Sequence, residues 1–305
     1  MCKVASSSQQ EYSTKRNGQI NHLRAAEPNN QSVYVDYNES FTVYDQSRQP
    51  NGLPELLQLF SETSTPLHEQ IILEGGFGTG AYIEQIRHYV KTAYGVEGSD
   101  EGYHQALHKL KGVTNVHLQV GNILDLAFTD EFFDGYMLNQ VSHHLDTSSQ
   151  FPNLNSFLKE SYRVLKEGGV LIINTCSQEQ MEPASGSFWH HTYVNKQAKM
   201  LQARYIPINE LITRLESFGF SDIKQTIPSG RLFNNRLYDD PTIALKPDFK
   251  LGDSVYAGMS SEVTVVADTS MAAAIEDGSI YDEMKRAAQR AAEIGETIIV
   301  SARKL

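Results

Sequence analysis

The chain has 305 residues, room for one large domain or two ordinary ones, and 40% of them are hydrophobic, enough for a sizeable core. Lys and Arg number 26 against 37 Asp and Glu, and the resulting net charge of −11 opposes a broad nucleic-acid surface. Two cysteines, Cys2 and Cys176, are too few for a disulfide framework or a Cys-rich zinc site, and they suit a reducing, cytoplasmic setting.

Residues 1–32 are rich in Ser, Gln and Asn and are expected to form a flexible tail. Spaced aromatics follow in SVYVDYNESFTVY. Pro50, Gly52 and Pro54 then punctuate the chain, and LPELLQLF reads as a short amphipathic helix. The stretch 33–69 is expected to cap a site on the core. A regular alternation begins at Gln70. Short apolar runs predict strands over 70–74, 92–97, 116–120, 133–139, 170–174, 222–227 and 297–302. Apolar residues at helical spacing predict helices over 81–90, 102–111, 154–165, 209–217, 262–275 and 281–294, the third of these ending at Gly168-Gly169. Strands alternating with helices predict an α/β fold with a doubly wound, mostly parallel sheet. A core over 70–227 would then be completed by a final strand in 297–305. Residues 228–296 would be an inserted lid or subdomain, with a surface available to a homodimer. No apolar run long enough for a membrane span is present, and the N-terminus lacks the apolar core of a secretory signal.

The sharpest local signal is Glu74-Gly75-Gly76-Phe77-Gly78-Thr79-Gly80, which follows a strand and opens a helix. Glycines at such a place permit positive φ and the close approach of a ligand to the backbone. Gly76-x-Gly78-x-x-Ala81, with Glu97 further on, satisfies a dinucleotide fingerprint, so a nicotinamide-dependent oxidoreductase is one reading. Glu74 at the strand tip favours another, because a carboxylate repels a diphosphate and attracts a cationic ligand.

The ordered set of motifs resembles the class I S-adenosylmethionine-dependent methyltransferases, in the small-molecule group that includes quinone-biosynthesis enzymes. The matching residues are Leu73 through Gly80, then Glu97 in GVEGS, Gly121-Asn122, and Phe133-Asp134 through His143-His144. Arg163 through Gly169 (RVLKEGG) and Gly219-Phe220 complete the set. Asn122 stands where the family carries Asp, and Glu167 where it carries Pro. The resemblance implies a Rossmann-like fold with S-adenosylmethionine as cofactor. It places Glu74, Gly75, Gly76, Gly78 and Gly80 along the methionine moiety and gives Glu97 the ribose hydroxyls. Gly98, Ser99, Asn122 and Ile123 would border the ribose and adenine, and Asn139 and Gln140 would meet the methionine amino group. Tyr44 and Arg48 would cover the cofactor, the Arg gripping its carboxylate.

His143 and His144, just after the fourth strand, are the candidates for a general base where the acceptor arrives protonated, or else they shape the pocket. Trp189, His190 and Tyr193 in SFWHHTY are candidates for a wall of the acceptor pocket. No metal site is expected, because adjacent histidines should point apart and no flanking ligand spacing supports one. The expected partner is a small-molecule methyl acceptor, with no nucleic acid. A non-catalytic cofactor-binding module is the reading outside catalysis.

Overall fold

Seven strands form one sheet in the computed structural model, which describes residues 38–305. They are β1 (Ile71–Gly75), β2 (Thr92–Glu97), β3 (Val116–Val120), β4 (Phe133–Asn139), β5 (Leu165–Thr175), β6 (Phe220–Thr226) and β7 (Ile298–Lys304). Their order across the sheet is β3-β2-β1-β4-β5-β7-β6. β1 through β5 pair in parallel, and β7 runs antiparallel to both β5 and β6. The chain reverses its direction of travel across the sheet between β1 and β4. In open α/β sheets that is where a crevice opens beyond the strand C-termini.

The central strands are apolar because helices cover both of their faces. Every residue of β4 is buried. Neighbouring residues along a strand enter opposite cores: Leu73 and Tyr136 pack on one face, and Ile72 and Met137 on the other. Gly135 is required by close packing, since a Cβ there would lie 2.3 Å from Cε1 of Phe60 in the helix Leu53–Ser61. The helix Pro152–Val164 covers the other face, burying Leu154, Phe157, Leu158 and Val164 at helical spacing.

A third core lies off the sheet. Cys176, Met181, Phe188, Trp189, Leu201 and Tyr205 pack there with Leu232, Phe249, Met271 and Ile280. The segment following β5 and the segment following β6 therefore share one hydrophobic interior. The insertion expected over 228–296 does not pack alone.

Most strands lie within two residues of their expected positions, and β2, β3 and β4 coincide with them. The fifth differs. The expected helix over 154–165 ends at Val164, and β5 begins at Leu165 rather than at Val170. Leu165 is buried against the sheet and pairs with Phe133, and the register shifts before Gly135 pairs with Val170. The expected tail, 1–32, and residues 33–37 of the expected cap lie outside the described residues. Among the described residues no helix is long and apolar enough to cross a membrane.

Candidate active site

β1 delivers Glu74 to its C-terminal tip, and the glycine loop turns from there into the helix Ala81–Ile86. Gly76 (φ +63°) and Gly78 (φ +52°) take the left-handed backbone that side chains disfavour. A Cβ on Gly76 would lie 2.7 Å from Val141, and one on Gly78 would lie 3.0 Å from Phe41. The loop is thus closely covered from above by Phe41 of the N-terminal segment. It is tied to β2 from below. The Gly78 N–H donates to Glu97 Oε2 and the Ser99 N–H to Glu97 Oε1, both at 2.8 Å. These bonds fix the Glu97 carboxylate, which is 7% exposed, and they counter the upward pKa shift that its burial causes.

Glu74 is more deeply placed. Asn139 Nδ2 donates to its Oε1 at 3.0 Å, while Glu74 Oε2 and Asn139 Oδ1 are buried with no hydrogen-bond partner. Burial pushes the Glu74 carboxyl up to about 8, against the lowering effect of the Asn139 bond. Buried carboxylates without a cation are costly, so a site of this kind is completed by a positive ligand or by a proton.

Both acids line one cavity of about 370 Å³ at the sheet's switch point. Ile123 follows β3 and Gly98 and Ser99 follow β2, on one side of Glu74, while Thr79 and Tyr82 follow β1 and Asn139 ends β4. His143, His144, Met181, Phe188, His191 and Tyr205 follow β4 or β5 and so line the opposite end. Tyr44 and Arg48 form part of the roof. Arg48 is held at 3.3 Å from Asp253 Oδ1 and lies over the Phe233 ring, 3.9 Å from its centroid.

His143 stacks on Tyr205, with ring centroids 4.4 Å apart and planes at 20°, and its Nδ1 is buried without a partner. Burial holds the His143 imidazole well below its ordinary pKa, and the neighbouring His144 lowers it further. His144 is pushed down to about 3, first by burial and then by Arg204 and Arg48. Both rings are therefore neutral at ordinary pH.

The cavity brings together Tyr44, Arg48, Glu74, Gly76, Gly78, Glu97, Gly98, Ser99, Ile123, Asn139, Gln140, His143 and His144. The other sequence-predicted residues lie off its wall. Gly75 sits behind it, where a Cβ would meet the Tyr136 hydroxyl at 2.7 Å. Gly80 caps the next helix against Ala106. The Asn122 side chain is used locally, its Oδ1 accepting the Leu124 N–H at 2.9 Å. Trp189 is buried in the third core with Tyr193 packed against that core, and neither is among the residues lining the cavity. His190 is fully buried, with Nε2 at 3.0 Å from Asp253 Oδ2. The segment SFWHHTY does reach the cavity, but through Phe188 and His191. A 3-10 helix over Trp189–Val194 sets which of its side chains turn inward, and sequence periodicity does not reveal that phase. Phe41, Tyr205 and Asp253 were not anticipated either. Asp253 lies in a turn-rich stretch whose place at the cavity depends on tertiary packing.

The two adjacent histidines do not point apart as expected. Their ring centroids lie 4.7 Å apart, and with Asp253 they bring three donor atoms within 4.8 Å. Arg48 already sits against the same carboxylate and holds it well below the usual range together with His190. A metal cation there would meet the guanidinium's charge.

Residues 73–173 match the family model described as a methyltransferase domain. Among solved structures, a candidate methyltransferase from an antibiotic biosynthesis pathway of Anabaena variabilis is similar, with 18% identity and a TM-score of 0.63 over 84% of this chain and 98% of its own. A candidate methyltransferase of Haloferax volcanii, solved with the Trm112 methyltransferase activator, shares 13% identity and a TM-score of 0.56 over 90% of this chain and 99% of its own. Phosphoethanolamine N-methyltransferase 2 of Haemonchus contortus, solved with phosphomonomethylethanolamine and S-adenosylhomocysteine, shares 14% identity and a TM-score of 0.53, covering 88% of this chain and 57% of its own. Among curated proteins none matches the chain. Residues 73–173 are a methyltransferase domain, and the sheet built around them has the fold of the class I S-adenosylmethionine-dependent methyltransferases.

Proposed function

We propose that the protein binds S-adenosylmethionine in this cavity and transfers its methyl group to a small-molecule acceptor. The observation that carries the reading is the pairing of Glu74 and Glu97 at adjacent strand tips on one cavity wall. Glu97 suits the ribose of either kind of nucleotide, and Glu74 decides between them, because its carboxylate favours a cationic group and repels a diphosphate. The orphaned Oε2 of Glu74 and the glycine cradle under Phe41 fit such a ligand.

When bound, the cofactor supplies an electrophilic methyl on a sulfonium. Glu97, already anchored by two N–H groups, has lone pairs left for the ribose hydroxyls. Ile123 offers an apolar surface to the adenine. Glu74 and Asn139 lie where the positive methionine end would be neutralised. Tyr44 and Arg48 close the roof, and Arg48 does so while held by Asp253. The leaving group of the transfer is neutral, so the protein's main tasks are alignment and exclusion of water. His143 and His144 shape the acceptor end as neutral rings, since their lowered pKa makes them weak bases. The N-terminal segment and the third core enclose the site, which favours a small acceptor over a macromolecular one.

The test is transfer of radiolabelled methyl from S-adenosylmethionine into a metabolite extract. Incorporation into low-mass products, abolished in Glu97→Ala, is expected. Incorporation only into protein or RNA would contradict the reading.

A further inference from the structure

We infer that the acceptor is an uncharged, apolar ring compound bearing one hydroxyl, seated against Phe188, Leu201 and Tyr205 with its hydroxyl at His143. This deepens the proposed function and rests on it.

Arg48 is the one Arg or Lys among the described residues lining the cavity, against the acids Asp45, Glu74, Glu97, Asp100 and Asp253. Arg48 is held by Asp253 and the Phe233 ring, and its unpartnered Nε is the one cationic donor left for the cofactor's carboxylate, so a second anion finds none. A phosphorylated or carboxylated acceptor would lose its hydration and find no free cation. A permanently cationic acceptor fares little better. Asp253 at the acceptor end is shared between Arg48 and His190, Asp45 is paired with Lys109, and Glu74, Glu97 and Asp100 stand at or just past the tips of β1 and β2. The histidines add no charge, because burial keeps His143, His144 and His191 neutral.

Met181, Phe188, Leu201, Leu232 and Phe233 make the acceptor end predominantly apolar. His143 and Tyr205 already stack there, and flat rings extend such a stack favourably. One cavity of about 370 Å³ has to admit both ligands, so the acceptor is compact.

With His143 Nδ1 buried, Nε2 is the ring atom left for the cavity. A neutral imidazole presents either a donor or an acceptor at that atom, and a hydroxyl can answer both.

The experiment uses the full chain saturated with S-adenosylhomocysteine, whose binding is first measured by calorimetry. Ligand-observed NMR then compares 2-naphthol, 2-naphthyl phosphate, naphthalene and phenyltrimethylammonium. The expected result is that 2-naphthol binds at least about tenfold more tightly than the phosphate and the ammonium. His143→Phe, with folding checked by circular dichroism, should weaken 2-naphthol severalfold and leave naphthalene unchanged. Equal or tighter binding of a charged probe, or no binding of 2-naphthol to the loaded protein, overturns the inference while leaving the cofactor reading intact. Failure of S-adenosylhomocysteine itself to bind overturns both.

Discussion

Arg48 and Asp253 stand 205 positions apart in the sequence and 3.3 Å apart in the structure. Backbone bonds reinforce the contact, with Asn234 N donating to Ser47 O at 2.8 Å and Gln49 N to Leu232 O at 3.3 Å. The pair thus fastens the N-terminal segment to the inserted segment across the cavity roof. Both side chains are well buried, so removing one leaves an uncompensated charge. Asp253→Ala is expected to cost roughly 3 kcal/mol of stability in urea denaturation. A variant as stable as the parent would show that the roof is held by other contacts.

Glu74 gives the empty protein a distinctive pH response. Burial raises its pKa from about 4.5 to about 8. Its contribution to stability is fully present below the unfolded value and is lost as pH rises through the folded value. The parent protein should therefore lose more stability than Glu74→Gln between pH 5 and pH 8, read by thermal melting. A cationic ligand favours the ionised form, so S-adenosylmethionine should bind more tightly as pH rises through the same window, with release of a proton. Affinity that stays flat with pH would contradict the placement of the sulfonium end beside Glu74.

The glycine loop can be tested against an internal control. Gly76 and Gly112 both have positive φ, but a Cβ on Gly76 would strike Val141 while one on Gly112 would meet nothing within 4 Å. Gly112→Ala should cost about 1 kcal/mol through its backbone alone. Gly76→Ala should cost more and should weaken the cofactor by at least about tenfold, because the loop must move from its cradle. Equal effects of the two substitutions on calorimetric affinity would reduce the loop to an ordinary turn.

Chelation tests the His190–His191–Asp253 cluster. Arg48 supplies the positive charge beside Asp253, so methyl transfer should be unchanged after dialysis against EDTA. Activity lost to EDTA and restored by a divalent cation would mean that the cluster's donor atoms, within 4.8 Å of one another, hold a metal.

The fold was legible where local pattern and tertiary role coincide. Thr92–Glu97 and Phe133–Asn139 are bounded runs whose burial follows from their place in the sheet, and their limits agree with expectation. Leu165–Val170 was misread because Lys166, Glu167 and two glycines look like a turn. There the chain pairs with β4 through a register shift, which depends on Phe133 rather than on local propensity. The third core was illegible for a related reason. Its members run from Cys176 to Ala287 and share no single periodic segment.

At the site, the strand-tip acids Glu74 and Glu97 could be read directly, since strand ends and glycines mark them. Phe188 and His191 could not be separated from Trp189, His190 and Tyr193, because a short 3-10 helix decides their phase. Asn122 lies off the cavity wall, with its Oδ1 accepting the Leu124 N–H in its own turn, a local bond that the residue type alone does not reveal.

Calorimetric titration of the full chain with S-adenosylmethionine, beside NAD as the rival nucleotide, reaches the central claim most directly. Saturable one-site binding of the sulfonium compound is expected, weakened by at least about tenfold in Glu97→Ala, with no heat from NAD. Binding of NAD with no response to S-adenosylmethionine would contradict it.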